Sequence, residues 1–188
     1  IISPNMSNMF VSDFDNICMK AKNQAELMVK NGLYSRFKLS RAARIEKAYL
    51  GCIGELAFEY YLQKENIKYS KDTTDFSIKN SDEFDFLINS KKIDIKVAKK
   101  TTKRIPSDHW TYGYPEEQNP ISKDFVIIGW VDFNLKQVGF YGWITGIQIQ
   151  NFPVVSKNGY AGYAYKTPNH EFKWGYLNKD FKQLQINF

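Results

Sequence analysis

The chain has only two cysteines, and Cys18 and Cys52 stand too far apart to suggest a disulfide framework or a zinc site. Without such a framework, a reducing cytoplasm is the expected compartment. No apolar run approaches the roughly 18–20 residues of a membrane span, so no membrane partner is expected. The opening residues lack a secretory-signal pattern. No Gly-rich phosphate loop of the ATPase type occurs. There is also no internal repeat, low-complexity tract or linker-like stretch.

What remains is 188 residues, enough for one domain with a real core. Fourteen Phe and twelve Tyr point to a well-packed sheet and to surfaces able to stack. The abundance of Lys, Asn, Ile, Tyr and Phe fits an AT-rich genome, bacterial or phage. A net charge of +6 favours an anionic partner. Much of that charge is local. Lys91, Lys92, Lys96, Lys99, Lys100, Lys103 and Arg104 crowd one stretch, with Asp94 the single acid among them.

Periodicity predicts a helix over 12–31, capped by Ser12 and stopped at Gly32. A second helix, capped by Ser40, runs to about Glu65, with Ile45, Tyr49, Cys52, Ile53, Leu56 and Tyr60 on one stripe. Ile67–Ser70 reads as a short strand, 72–82 as a polar loop and 83–98 as a hairpin. Residues 99–122 read mostly as loop. Strands are expected at Phe125–Val131, Val138–Ile144 and Phe172–Leu177, a long loop over 149–170, and a short helix at Asp180–Leu184. This order implies an α+β or α/β fold with a central mixed sheet flanked by helices. The expected division is a single domain over 1–188: a helical extension (1–39), a core (40–148) and a C-terminal loop with a short strand and helix (149–188).

The hairpin carries the chemistry. Charged and apolar residues alternate on both sides of Asn89-Ser90. A turn centred there sets Asp85 opposite Asp94, with Lys96 on their face. Phe84, Phe86, Ile88, Ile93, Ile95 and Val97 then line the other face. Opposed carboxylates repel unless a cation lies between them, and a divalent metal ion is the obvious one. For the hairpin alone, a solvated polar strand face is the plainer reading. The second helix adds weight. Gly51 and Gly54 each cost a helix interior roughly 1 kcal/mol against alanine. They leave a bare helix side next to Glu55, with Glu59 one turn on as the reserve candidate.

A helix bearing Gly-x-x-Gly-Glu, an Asp on one strand and Asp-x-Lys on the next resembles the PD-(D/E)xK, or restriction-endonuclease-like, nuclease superfamily. The matching positions are Glu55, Asp85, Asp94 and Lys96, and the resemblance spans about residues 45–100. Phe84 stands where that family often has proline. The resemblance implies a restriction-endonuclease-like core and a metal-dependent deoxyribonuclease, an endonuclease of restriction, recombination or repair type. It implies Mg²⁺, with Mn²⁺ able to substitute, held by Asp85, Asp94, the Ile95 carbonyl and Glu55, while Lys96 assists the attacking water. Mg²⁺ takes hard oxygen ligands and keeps several waters, so two carboxylates suffice to hold it. DNA is the expected partner, and cutting both strands would call for a homodimer. The alternative is a non-catalytic nucleic-acid-binding protein on the same scaffold.

Lys99, Lys100, Lys103 and Arg104 are expected to track phosphates. His109 and Trp110 stand on a loop suited to DNA, where Trp110, Tyr112 or Tyr114 could stack on bases. Aromatics capping the core explain that loop equally well. His170 has no evident partner and reads as a core histidine. Ser107, Asp108 and His109 are contiguous, which gives a hydrolytic triad no support.

Overall fold

Ser40 stands where a polar link gives way to an apolar-periodic run, and its Oγ accepts the Ala43 N–H at 3.2 Å. The computed structural model describes residues 11–35, 37–72 and 84–188. Asp72 is therefore the one described residue of the expected 72–82 loop, and Glu83, the first residue of the expected hairpin, lies outside. Two long helices open the described chain, α1 (Val11–Lys30) and α2 (Arg41–Lys64). Helix α1 is closed by Gly32, whose φ of 106° lets Leu33 N–H return to the Met28 carbonyl. Ser12 falls inside α1 and not ahead of it.

Strands follow as β1 (Ser70–Lys71), β2 (Phe86–Ile88), β3 (Lys91–Lys99), β4 (Thr111–Pro115), β5 (Phe125–Asp132), β6 (Gln137–Thr145), β7 (Val154–Lys157) and β8 (Ala164–Lys173). Two short helices, α3 (Gly146–Gln150) and α4 (Phe181–Ile186), complete the main elements. The fold is α+β. A mixed five-stranded sheet runs β1-β2-β3-β5-β6, with only β3 and β5 parallel. A separate antiparallel sheet runs β4-β8-β7.

The hairpin pairs as the alternation requires: Phe86 with Ile93, Leu87 with Lys92, Ile88 with Lys91. Asn89 and Ser90 both take positive φ, 46° and 66°, which a tight two-residue turn needs. Phe86, Ile88, Ile93 and Ile95 are buried on the helical side, in one core with Phe14, Ala21, Phe58 and Phe140. Phe84 and Val97 are half-buried. On the opposite face, Val126, Ile128 and Trp130 pack against Tyr114, Phe172 and Trp174, so the small sheet forms a third layer.

Several expectations need correction. Helix α2 is buried over a wider arc than one stripe, because it lies between α1 and the sheet. Ala57, Phe58, Tyr61 and Leu62 are buried, whereas Tyr60 is exposed. The expected loop over 99–122 contains β4 and two single-turn helices at Glu116–Gln118 and Pro120–Ser122. The expected loop over 149–170 contains β7 and much of β8. The last strand ends at Lys173, and Trp174–Tyr176 form a turn of 3-10 helix. No described helix is long and apolar enough to cross a membrane.

Candidate active site

The ladder between β2 and β3 stops at Phe86, one residue short of pairing Asp85 with Asp94. Asp85 instead finishes the edge with its side chain. Its N–H donates to the Ile93 carbonyl at 2.9 Å, and its Oδ2 accepts the Ile95 N–H at 2.6 Å. Strand alternation turns the Ile95 carbonyl toward the same side, just past the end of β2.

Asp94 points the other way, off the helical face, and is only 4% exposed. Its Oδ1 accepts Lys96 Nζ at 2.7 Å, and its Oδ2 accepts the Tyr114 hydroxyl at 2.7 Å. Tyr114 is fully buried on β4 and joins the small sheet to the site. Lys96 is half-buried, two residues along the same face, with Nζ 5.8 Å from the Tyr114 ring centre. Glu55, half-buried on α2, approaches Asp85 from the helical layer. Lys123, buried just before β5, also acts on Asp94 and Asp85.

These neighbours move the protonation equilibria apart. Burial, then the Glu55 and Asp94 carboxylates, hold the Asp85 carboxyl well above the usual range, against the opposing pull of Lys96 and the Ile95 N–H. Burial also pushes Asp94 up, but Lys96, Tyr114 and Lys123 overcome it, and the net shift is downward. Burial would depress Lys96, yet Asp94 and then Tyr114 and Asp85 lift it well above the ordinary lysine value. Lys123 is lowered, chiefly by burial. Asp94 and Lys96 thus form a settled ion pair, while the crowding of the Glu55 and Asp94 carboxylates favours a protonated Asp85 beside it.

The structure therefore brings Glu55, Asp85, Asp94 and Lys96 into one neighbourhood. Tyr114 and Lys123 belong there too, and sequence reasoning missed both. Tyr114 was hidden in an aromatic run whose only visible property was stacking. Lys123 offered one signal, a lysine set immediately before the apolar stretch of β5. Glu59 drops out, because its carboxylate accepts the Tyr69 hydroxyl at 2.8 Å and Lys71 Nζ at 2.9 Å.

Glu55, Asp94 and the Ile95 carbonyl offer oxygens near Asp85, the chemistry a hard divalent cation takes. Among the described residues, however, no three His, Cys, Asp or Glu side chains converge closely enough to form a ready metal cage. Both Asp94 oxygens are engaged, and Asp85 Oδ2 is held by a backbone N–H. The donor chemistry fits a metal ion, and the ion would have to take Asp94 or Asp85 from present partners.

The basic stretch does not form one patch. Lys100 is a correction: its side chain is 7% exposed and pairs with Asp132 at 2.7 Å, so it is unavailable to a phosphate. Lys99 is half exposed, 3.7 Å from Glu46, and lies over the Phe133 ring. Lys103, Arg104 and His109 are exposed. Trp110 packs edge-on against Trp174 at 5.1 Å and caps the core, and Tyr114 is too buried to stack on a base. Asp108 is held by Tyr141 and Lys179, not by His109. His170 is buried, with Nδ1 2.9 Å from the Phe152 carbonyl oxygen, as a core histidine should be.

The chain matches no protein-family model, no curated protein and no solved structure.

Proposed function

We propose that this chain is a metal-dependent deoxyribonuclease of the PD-(D/E)xK kind, hydrolysing DNA phosphodiester bonds as an endonuclease. One observation carries the reading: Glu55, Asp85, Asp94 and Lys96 meet where β2 begins, with the Asp85 carboxyl held well above its usual range by burial and by the Glu55 and Asp94 carboxylates. A phosphodiester is an anion, so attack by hydroxide needs cations on both partners. Mg²⁺, or Mn²⁺ in its place, would be held by Asp85, Asp94, the Ile95 carbonyl and Glu55, and would supply an acidified water and a neutralised phosphate oxygen.

The chain's own residues do the positioning. Lys96 Nζ, fixed by Asp94, holds the nucleophilic water and stays cationic as charge builds on the phosphate. Tyr114 fixes the other Asp94 oxygen, so the carboxylate cannot rotate away from Lys96. Lys123 adds a second buried basic group next to Asp94. Exposed Lys103 and Arg104, with Lys99, meet the DNA backbone. Cutting both strands would bring two copies together as a homodimer.

A second reading has its own support. The engagement of both Asp94 oxygens by Lys96 and Tyr114 suits a non-catalytic nucleic-acid-binding protein on this scaffold. Supercoiled plasmid, linear duplex and branched DNA incubated in Mg²⁺, Mn²⁺ and EDTA separate the two. The nuclease predicts metal-dependent cutting that Asp94→Asn and Lys96→Met both abolish. Binding without cutting, equal in wild type and variants, sinks the nuclease and leaves the binding protein.

A further inference from the structure

Away from the carboxylates, a cavity of about 660 Å³ opens at the end of the small sheet where β4 begins and β8 ends. Its size falls within the roughly 300–1,000 Å³ of ligand sites. His109, Phe152, Tyr160, Glu171, Lys173 and Tyr176 are among its walls. Two of the rings stand largely in solvent, Tyr160 at 69% and Tyr176 at 63% exposed. Phe152 backs Tyr176 edge-on at 5.1 Å, so that ring rests on a partner.

The wall carrying Tyr160 is built and not merely loose. Between β7 and β8 the register slips: Val155 faces Asn169, but Lys157 faces Ala164, so two steps on one strand meet five on the other. The surplus lets the tip fold back over the sheet, where buried Asn158 ties it down. Asn158 Oδ1 accepts the N–H groups of Tyr160 and Ala161 at 3.0 and 2.6 Å, and its Nδ2 donates to Thr111 on β4 at 3.1 Å. Glu171 accepts the Gly159 N–H at 2.9 Å and the Tyr165 hydroxyl at 2.6 Å. The one acid in the wall is thus occupied in holding the tip. Lys173 and His109 remain exposed at the rim. Solvent-facing aromatic rings beside the Lys173 cation match a strand that offers bare base faces and phosphates.

We infer that this cavity is a subsite for single-stranded nucleic acid, with unpaired bases stacking on Tyr160 and Tyr176 and a phosphate near Lys173 and His109. A duplex hides its base faces, so the occupant is an unpaired stretch. The inference rests on the nucleic-acid reading above. β4 links the two places: Thr111 lines the cavity, and Tyr114, about 10 Å further along, holds Asp94. β4 is also the edge strand of its sheet.

The test is fluorescence anisotropy with a labelled oligo-dT in EDTA, beside plasmid cleavage in Mg²⁺. Both tyrosines are exposed, so Tyr160→Ala and Tyr176→Ala leave the core intact. Each should weaken oligonucleotide affinity about tenfold, the double variant more, and Tyr176→Phe should bind like wild type because the ring is kept. A double variant that binds within about twofold of wild type overturns the subsite. So does a wild-type protein that fails to bind the oligonucleotide. Wild-type cleavage with undiminished binding in the double variant removes the subsite and leaves the nuclease. No cleavage with a tenfold loss in the alanine variants removes the nuclease and leaves the subsite.

Discussion

Asp85 and Asp94 stand close together at one hairpin and burial raises both carboxyls, yet their neighbours give them opposite net shifts. Asp94 has Lys96, Tyr114 and Lys123 around it and ionises below its ordinary value of 3.8. Its stabilisation is present above that value and fades as pH falls toward the folded-state pKa. Asp85, raised well above 3.8, keeps a proton in the folded chain that the unfolded chain has already released. Stability therefore declines as pH rises through that window, and the deficit is complete above the folded-state pKa. Asp85→Asn should abolish this decline, since an amide oxygen still accepts the Ile95 N–H. Melts in EDTA from about pH 4 to pH 9 should show the variant more stable than wild type on the neutral and alkaline side, while plasmid cutting is lost. Equal curves for the two proteins would mean that Asp85 sits in no repulsive field. Tyr114→Phe tests the other acid. It removes a hydrogen bond to a buried carboxylate and should cost about 1.5–3 kcal/mol, read as a lower urea midpoint. An unchanged midpoint would mean the hydroxyl does not hold Asp94.

Helix α2 meets the sheet at a glycine, and that contact sets how far Glu55 stands from Asp85. A Cβ built on Gly54 would lie 2.8 and 2.9 Å from the two methyls of Val97 on β3. Valine is stiff at χ1, so the helix must yield. Gly54→Ala should lower stability, because overpacking of about 1–3 kcal/mol exceeds the roughly 1 kcal/mol that alanine gains as a helix former. It should also impair cutting, and Val97→Ala should restore both. Gly51 has nothing within 4 Å of its Cβ position, so Gly51→Ala should gain about 1 kcal/mol in the same melts. If both substitutions stabilise, Gly54 is no spacer. Elements with strong local codes were the legible ones. The β2–β3 hairpin declares itself through strict alternation and a turn at Asn89-Ser90, and α2 through Ser40 and its periodicity. The small sheet was illegible because its strands lack that code. β4 reads Thr-Tyr-Gly-Tyr-Pro, and β8 contains Pro168 and the register slip that breaks its alternation. Glu55, Asp85, Asp94 and Lys96 were readable because strand register and helix phase place them. Tyr114 and Lys123 arrive only through the crossover from β3 to β5, which no local pattern encodes. The fate of Lys100 likewise depends on Asp132, a partner thirty-two residues away.

Every layer of the molecule contributes to the site. Glu55 comes from the helices, Asp85, Asp94 and Lys96 from the central sheet, and Tyr114 from the small sheet. A cation bound among these groups would therefore stabilise the whole fold and not a single loop. Binding to the folded state alone adds about 2.7 kcal/mol when the free ion stands at a hundred times its dissociation constant. For a chain of this length each kcal/mol moves Tm by about 2–4 °C, so a saturating Mg²⁺ titration should raise it by roughly 5–11 °C. Screening by ionic strength acts on all surface charges alike, so a matched titration with NaCl separates specific binding from salt. The rise should be absent in Asp85→Asn, which lacks the carboxyl that would release its proton and ligate the ion. It should be kept in Tyr176→Ala, whose ring lies in the aromatic cavity and outside the carboxylate cluster. A Tm indifferent to both Mg²⁺ and Mn²⁺ in the wild-type protein would mean that Lys96 and Lys123 already neutralise the acids sufficiently. The assembly at the end of β2 would then be an internal ion cluster tying three layers together, and the metal-dependent chemistry would fall with it.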